Sequence, residues 1–135
     1  MRPKAYVETS VVSYLTALPS VDVVRAGHQT ITQKWWSTRA GFDLYISQFV
    51  LDEAAQGDAE AADRRLTALD DIALLDATAD ATSLAEALVA GGGLPPKARV
   101  DAFHVAIATV HGAAIATRDS GFEHSGVPLI DPWDT

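Results

Sequence analysis

Short apolar runs alternate with longer segments of helical periodicity along this chain. The predicted strands are the runs at residues 2–7, 44–46, 72–75, 113–117 and 127–130. Apolar positions with helical spacing fall at about residues 11–15, 22–40, 47–54, 58–69, 78–90 and 98–111. Strands that alternate with helices in this way predict an α/β fold, a three-layer sandwich in which a central, mostly parallel sheet is flanked by helices.

Turn-forming and capping residues mark the ends of these elements. We predict that Thr9 and Ser10 cap the first helix and that Ser47 caps the third. Glycines at residues 91–93 and at position 112 are expected to end the last two helices. Because no repeat, low-complexity tract or linker interrupts the pattern, residues 1–135 are expected to form a single domain.

Composition narrows the class of protein. The chain has no cysteine and a formal net charge of -8, which argues against disulfides, thiolate chemistry and nucleic-acid binding by a broad basic surface. An acid follows soon after the start, unlike a signal peptide, and the longest apolar run, residues 102–117, contains two histidines. We therefore expect a soluble cytoplasmic protein that does not enter a membrane, with a charge suited to a basic protein partner.

Four acidic residues lie where apolar segments begin or end: Glu8, Glu53, Asp101 and Asp119. Open parallel sheets bind ligands beyond the carboxyl ends of their strands. Glu8 and Asp119 directly follow predicted strands, and the other two acids lie in helices that approach the same edge. If the carboxylates meet there, protons or a bound cation must relieve their repulsion, and oxygen ligands favour a hard divalent cation. The pattern predicts a metal site suited to phosphoryl chemistry.

Taken singly, each of these acids also has a structural interpretation. Glu8 fits a solvated strand end, and Glu53 fits an exposed helix position. Asp101, predicted in the first turn of its helix, fits a partner of the helix dipole, and Asp119 fits a turn residue. Their joint occurrence in this order is what favours a shared site.

Five segments in register resemble the PIN-domain nucleases, in particular the VapC-like toxins of toxin–antitoxin systems. They are residues 6–10, 46–53, 101–108, 117–122 and 126–132, and together they span essentially the whole chain. The family usually has Asp as its first acid, whereas this chain has Glu8. The longer side chain implies a metal that is shifted or held through a water.

This resemblance implies a divalent-metal-dependent endoribonuclease, in which a water activated by Mg²⁺ or Mn²⁺ hydrolyses RNA phosphodiesters. Glu8, Asp101 and Asp119 are the implied metal ligands, direct or through water, and Glu53 is a ligand or a water-orienting acid. The resemblance also implies a cognate antitoxin protein as a partner, and a homodimer.

Other polar residues near the acids have two interpretations each. Ser10 and Thr117 either add an oxygen near the metal or cap the next helix or turn. His104 lies three residues after Asp101 on roughly the same helix face. It is either a base or phosphate contact, or a packed and hydrogen-bonded residue, and its apolar neighbours favour the second interpretation.

Basic and aromatic residues offer candidate RNA contacts. Lys97, Arg99 and Arg118 flank the third and fourth acids, and either bind substrate phosphates or pair with nearby acids. Trp35 and Trp36 either stack on bases or divide between the core and a dimer or antitoxin surface, because adjacent helix positions face different directions.

Two other functions compete with the nuclease. The main alternative is a catalytically silent PIN-like module that binds protein or metal, and Glu8 is its support in the sequence. A phosphatase-like or receiver-like protein would need a nucleophilic Asp after the first strand, where this chain has Glu8.

Overall fold

Five parallel strands form the centre of the computed structural model, which describes residues 2–90, 96–119, 122 and 128–132, without the side chains of residues 96 and 97. The strands are β1 (Lys4–Val7), β2 (Asp43–Ile46), β3 (Ala73–Leu74), β4 (Ala114–Ala116) and β5 (Leu129–Ile130). Their order across the sheet is β3-β2-β1-β4-β5, and every pairing between them is parallel. The predicted α/β fold with a parallel sheet is confirmed.

Helices connect these strands on both faces of the sheet. In the described part of the chain they are α1 (Thr9–Thr16), α2 (Val23–Ser37), α3 (Gln48–Ala54), α4 (Ala59–Ala68), α5 (Ala79–Val89) and α6 (Pro96–Val110). α1 packs against α2, α3 and α4, whereas α5 packs mainly against α6. Because the chain reverses its direction across the sheet after β3, right-handed crossovers place these two groups on opposite faces. No helix of the described residues is long and apolar enough to cross a lipid bilayer.

The apolar core surrounds the two central strands, β1 and β4. Tyr6, Val7 and Ile115 are fully buried, and Ile107 of α6 packs into the same cluster. Strands of a parallel sheet are covered on both faces, so they are apolar along their whole length rather than at alternate positions. This explains the apolar sequences of β4 and of residues 5–7 in β1, whereas both residues of the edge strand β3 are exposed.

Several predicted boundaries differ from the structure. α2 ends at Ser37 and is followed by a single 3₁₀ turn, Arg39–Gly41, instead of continuing to residue 40. α6 begins at Pro96, so Asp101 lies beyond the first helical turn and its predicted role as a partner of the helix dipole is wrong. Gly112 ends α6 as predicted, in a left-handed conformation with φ of 71°. The glycines at residues 91–93 and the predicted strand residue 127 lie outside the described residues.

The predicted capping of α1 is also wrong. Glu8 occupies the N-cap position, and Thr9 and Ser10 are the first two residues of the helix. Their hydroxyl groups donate to carboxylates rather than accepting from the helix backbone. Ser47 does occupy the N-cap position of α3, but its hydroxyl group bonds to Tyr6 rather than to the helix.

The sheet order reverses between β1 and β4. β2 and β3 lie on one side of β1, whereas β4 and β5 lie on the other. At such a point the loops that follow the two strands diverge and leave a crevice at the carboxyl edge of the sheet. Glu8 directly follows β1, and Thr117 and Asp119 follow β4, so all three residues lie at this crevice.

Candidate metal centre

Two hydroxyl groups hold the carboxylate of Glu8 at the end of β1. Ser10 Oγ and Thr117 Oγ1 each donate to Glu8 Oε1 at 2.5 Å. The Glu8 residue is only 3% exposed and Thr117 is 5% exposed. Because a buried carboxylate is costly without donors, these short bonds are what allow an acid at the end of a core strand.

The same two hydroxyl groups fix the turn after β4. The backbone N–H of Arg118 donates to Ser10 Oγ at 2.7 Å, and that of Asp119 donates to Thr117 Oγ1 at 3.0 Å. Each hydroxyl group therefore donates to Glu8 and accepts from the backbone of the turn that holds Asp119. Thr117 therefore caps its turn, as one interpretation predicted, and an oxygen supplied to a metal by either residue stays a prediction. We call this arrangement the hydroxyl clamp.

Glu53 is held by a second set of hydrogen bonds, which begins in the core. Thr9 Oγ1 donates to Glu53 Oε1 at 2.7 Å, and His104 Nε2 lies 2.7 Å from the same oxygen. On the other side of the imidazole, His104 Nδ1 lies 2.5 Å from the hydroxyl of Tyr6, which lies 2.6 Å from Ser47 Oγ. Ser47, Tyr6, His104 and Glu53 thus form a continuous chain, which we call the tyrosine–histidine chain.

The hydrogen-bond acceptors in the tyrosine–histidine chain determine where its protons lie. Burial, aided by the negative charges of Glu53 and Glu8 and opposed by the hydrogen bond from Ser47, raises the pKa of Tyr6 well above its ordinary value, so its hydroxyl keeps its proton. A carboxylate only accepts hydrogen bonds, so His104 donates to Glu53 from Nε2. Nδ1 then accepts from Tyr6, and Ser47 donates to the Tyr6 oxygen. His104 is fully buried, in agreement with its interpretation as a packed, hydrogen-bonded residue.

Glu53 belongs to two groupings that between them contain all four predicted acids. Oxygens of Glu53 and Asp101 and a ring nitrogen of His104 all lie within 4.8 Å of one another. Glu8, Glu53 and Asp119 line a single cleft of about 570 Å³, which we call the acidic cleft. Its remaining lining residues are Thr9, Ser10, Ser13, Gln56 and Arg118. The structure thus groups Asp101 with Glu53 and places Glu8 and Asp119 in one cleft with Glu53, while the roles of the four acids stay predictions.

The donor atoms of this cluster fit a hard divalent cation. Two ligands of one ion, each about 2.0–2.4 Å from it, lie no more than about 4.8 Å apart. The separations among Glu53, Asp101 and His104 meet this limit. Since the Nε2–H of His104 donates a hydrogen bond to Glu53, the carboxylate oxygens of Glu53 and Asp101 remain as the ligands in this cluster. Oxygen is the ligand atom that Mg²⁺ and Mn²⁺ prefer.

The sequence matches one protein-family model, that of the PIN domain, over residues 5–127. The chain belongs to the PIN-domain family. This match confirms the family predicted from the five sequence segments. The matched segment includes all four acids and both sets of hydrogen bonds described above.

Solved structures with the same fold include VapBC2 from Rickettsia felis bound to a DNA fragment from their promoter, with a TM-score of 0.69 and 16% identity. That match covers 94% of this chain and 97% of the other. FitAcB from Neisseria gonorrhoeae has a TM-score of 0.63 at 18% identity, covering 97% and 99% of the two chains. FitAB bound to an IR36 DNA fragment has a TM-score of 0.62 at 18% identity, covering 97% and 96%. No curated protein sequence matches this PIN domain.

Basic residues around the cleft of this PIN domain differ in their surroundings. Arg118 lines the cleft, and its guanidinium pairs with the carboxylate of Asp131. That contact agrees with the ion-pair interpretation of Arg118. Arg99 is exposed on α6, and the side chain of Lys97 lies outside the described residues.

The two adjacent tryptophans lie at the other end of the sheet. Trp35 is 5% exposed and packs with its ring centroid 5.8 Å from that of Phe42, which directly precedes β2. Trp36 is half-buried, with the guanidinium of Arg39 5.1 Å from its ring centroid. Trp35 is therefore a core residue, as one interpretation predicted, and the position of both rings does not favour stacking on a substrate in the acidic cleft.

Tyr6 and Ser47 are the members of the tyrosine–histidine chain that the sequence did not reveal. Tyr6 appeared as one more apolar residue of a strand, and Ser47 as a helix cap. Their partners are distant in sequence, since Tyr6 and His104 are 98 residues apart. No local pattern signals such a contact, although a histidine amid apolar helix residues indicated that a buried partner must exist.

Proposed function

We propose that this PIN domain is a divalent-metal-dependent endoribonuclease that hydrolyses RNA phosphodiesters. The observation that carries the proposal is the grouping of three carboxylates around Glu53, at the crevice where the sheet order reverses. An oxygen of Asp101 lies within 4.8 Å of one of Glu53, and Glu8 and Asp119 line the same cleft as Glu53. Their mutual repulsion calls for a cation, and the cleft is open to a substrate.

Glu8, Asp101 and Asp119 would hold Mg²⁺ or Mn²⁺, directly or through water. When bound, such an ion lowers the pKa of a water molecule and neutralises charge on the phosphate. Glu53 would act as a further ligand or orient the attacking water. Its Oε1 is fixed by Thr9 and His104, so the tyrosine–histidine chain sets the direction in which this carboxylate acts.

The hydroxyl clamp supports activity despite Glu8 in place of the usual Asp. A longer side chain has more rotamers, which weakens its use as a fixed ligand. Ser10 and Thr117 restrict Glu8 by two bonds to one oxygen. They also join it to the turn that holds Asp119, so the first and fourth acids are positioned as one unit.

We further propose that the chain is a toxin whose partner is a cognate antitoxin. The structures of similar fold are of VapBC2 and FitAB, both bound to DNA. A net charge of -8 suits a basic partner segment entering the acidic cleft. A homodimer and a cytoplasmic location are part of the same proposal.

Cleavage of a mixed RNA pool by the purified chain tests the nuclease directly. Reactions contain Mg²⁺, Mn²⁺ or a chelator, and Asp119→Asn is purified in parallel to exclude a contaminating nuclease. Asp52→Asn is the matched control, because Asp52 is an exposed acid beside Glu53 that accepts from Gln48. Metal-dependent cleavage that is lost only in Asp119→Asn supports the proposal.

Two results would contradict it. Equal cleavage by Asp119→Asn and the unaltered chain would remove the acidic cleft from the reaction. Absence of cleavage across diverse RNA pools with either metal would favour the catalytically silent module, in which the cleft binds protein or metal only.

A further inference from the structure

A second, basic pocket adjoins the acidic cleft on the side of α1 and α2. It has a volume of about 340 Å³ and is lined by Ser13, Tyr14, Ala17, Arg25, Gln29 and Arg65. We propose that this arginine pocket binds a backbone phosphate of the RNA strand, next to the one that is cut. The inference rests on the proposed ribonuclease function and names a substrate contact that the four acids do not supply.

Continuity with the acidic cleft is the first support. Ser13 lines both the arginine pocket and the acidic cleft, so only the α1 helix separates them. Gln56, which lines the acidic cleft, accepts a hydrogen bond through its carbonyl oxygen from Arg65 Nη2 at 2.5 Å. A strand whose scissile phosphate lies in the cleft therefore passes beside Arg65.

The acidic cleft and the arginine pocket are lined by side chains of opposite charge. The acidic cleft repels a polyanion except where a cation is bound, and the chain as a whole is negative by 8 charges. Arg25 and Arg65 both line the pocket that adjoins that cleft. Guanidinium groups suit phosphate, because their planar donors match two of its oxygens at once.

Arg65 is positioned in advance by the backbone. Its Nε donates to Ala54 O at 2.9 Å, and its Nη2 donates to Gln56 O. These bonds use two of the five donors of a guanidinium group, so the head group is oriented while donors remain for a ligand. Gln29, buried at 6% exposure, links the middle of α2 to Leu18 and Ser20 and keeps the wall of the pocket in place.

Tyr14 adds an aromatic surface to the same pocket. It is half-buried, with its ring edge-on to His28 at a centroid distance of 6.3 Å. Single-stranded nucleic acids bind where cationic side chains for phosphates alternate with aromatic rings for bases. An acidic segment of a protein would use the arginines but not the ring, so RNA is the better match.

Binding of a short fluorescent single-stranded RNA, measured by anisotropy in chelator at several salt concentrations, tests this pocket without cleavage. Arg25→Gln removes an exposed guanidinium and is expected to raise Kd roughly five-fold at low salt, and to reduce the slope of log K against log salt by about 0.7. Arg25→Lys should restore part of both. Arg39→Gln makes the same charge change at an exposed position beside Trp36 and should leave Kd nearly unchanged.

Other results of this binding experiment lead to different conclusions. If Arg25→Gln and Arg39→Gln have equal effects, only overall charge matters and the pocket is overturned. If Arg25→Gln leaves RNA binding unchanged but weakens binding of a glutamate-rich peptide, the pocket belongs to a protein partner and the RNA assignment is wrong. RNA binding that depends on Arg25 in a chain that never cleaves RNA would support the pocket while contradicting the proposed nuclease.

Discussion

Replacing Tyr6 with Phe removes one oxygen from the centre of the tyrosine–histidine chain and leaves the ring in place. The hydroxyl bonds to His104 Nδ1 at 2.5 Å and to Ser47 Oγ at 2.6 Å, and all three residues are no more than 1% exposed. A buried neutral hydrogen bond contributes about 1 kcal/mol, and a buried group left without its partner costs about 1–3 kcal/mol. We therefore expect Tyr6→Phe to lower the free energy of unfolding by about 2–3 kcal/mol.

For a domain of 135 residues, that loss corresponds to a fall in Tm of about 7–11 °C. The effect of Tyr6→Phe on the candidate site is measured by kcat rather than by Tm. Without the Tyr6 donor, His104 is no longer held with its proton on Nε2, and Glu53 loses a fixed donor. Changes of this kind in the support of a metal ligand typically cost about 10–100-fold in affinity or activity, so we expect kcat to fall about ten-fold.

Calorimetry and RNA cleavage at a temperature well below both Tm values separate the two effects. Tyr45→Phe, in the adjacent strand β2, is the matched control, since it removes a tyrosine hydroxyl from a half-buried residue that is not part of the tyrosine–histidine chain. A Tyr6→Phe variant with the Tm and kcat of the unaltered chain would refute the reasoning, because the hydroxyl would then hold nothing in place.

Three further predictions follow from the same geometry. Because folding raises the pKa of Tyr6, the contribution of its protonated hydroxyl to the free energy of unfolding is complete below a pH of about 10. Above that pH the free energy of unfolding falls by about 1.4 kcal/mol per pH unit. Urea unfolding at pH 9 and pH 11 should show this fall, and the fall should be smaller in Tyr6→Phe. Thr117→Val, which removes half of the hydroxyl clamp, should lower kcat while Thr109→Val, at an exposed position on α6, should not. Asp119→Asn should raise Tm by a few degrees in chelator, because it removes one of several like charges from the acidic cleft. It should also abolish most of the stabilisation that Mn²⁺ gives the unaltered chain. A fall in Tm in chelator would count against charge repulsion in the cleft.

The elements of the fold were predictable because burial on both faces leaves a plain signal. β4 and residues 5–7 of β1 are continuous apolar runs, and the helices between strands have clear periodicity and are bounded by turn residues such as Gly112. Boundaries were less predictable where local and tertiary preferences compete. Thr9 and Ser10 are good capping residues in isolation, yet in the fold their hydroxyl groups bond to Glu53 and Glu8 instead.

The acids of the site were predictable, whereas the groups that position them were not. The acids stood out because carboxylates are unusual beside buried segments. The tyrosine–histidine chain and the hydroxyl clamp join residues about 40 to 110 positions apart, such as Thr117 and Glu8, 109 residues apart. Such contacts are created by the strand order, in which β4 lies beside β1, and strand order is not encoded in any one segment.

Binding of Mn²⁺, followed by the loss of the free-ion signal in electron paramagnetic resonance, tests most directly whether the four acids form one metal centre. Asp101 and Asp119 approach Glu53 as parts of two different groupings, the ligand cluster and the acidic cleft. We predict that the unaltered chain and Asp52→Asn bind Mn²⁺ alike, and that Asp101→Asn and Asp119→Asn each bind it at least about ten-fold more weakly. Equal binding by all four proteins would contradict the metal centre on which the proposed nuclease depends.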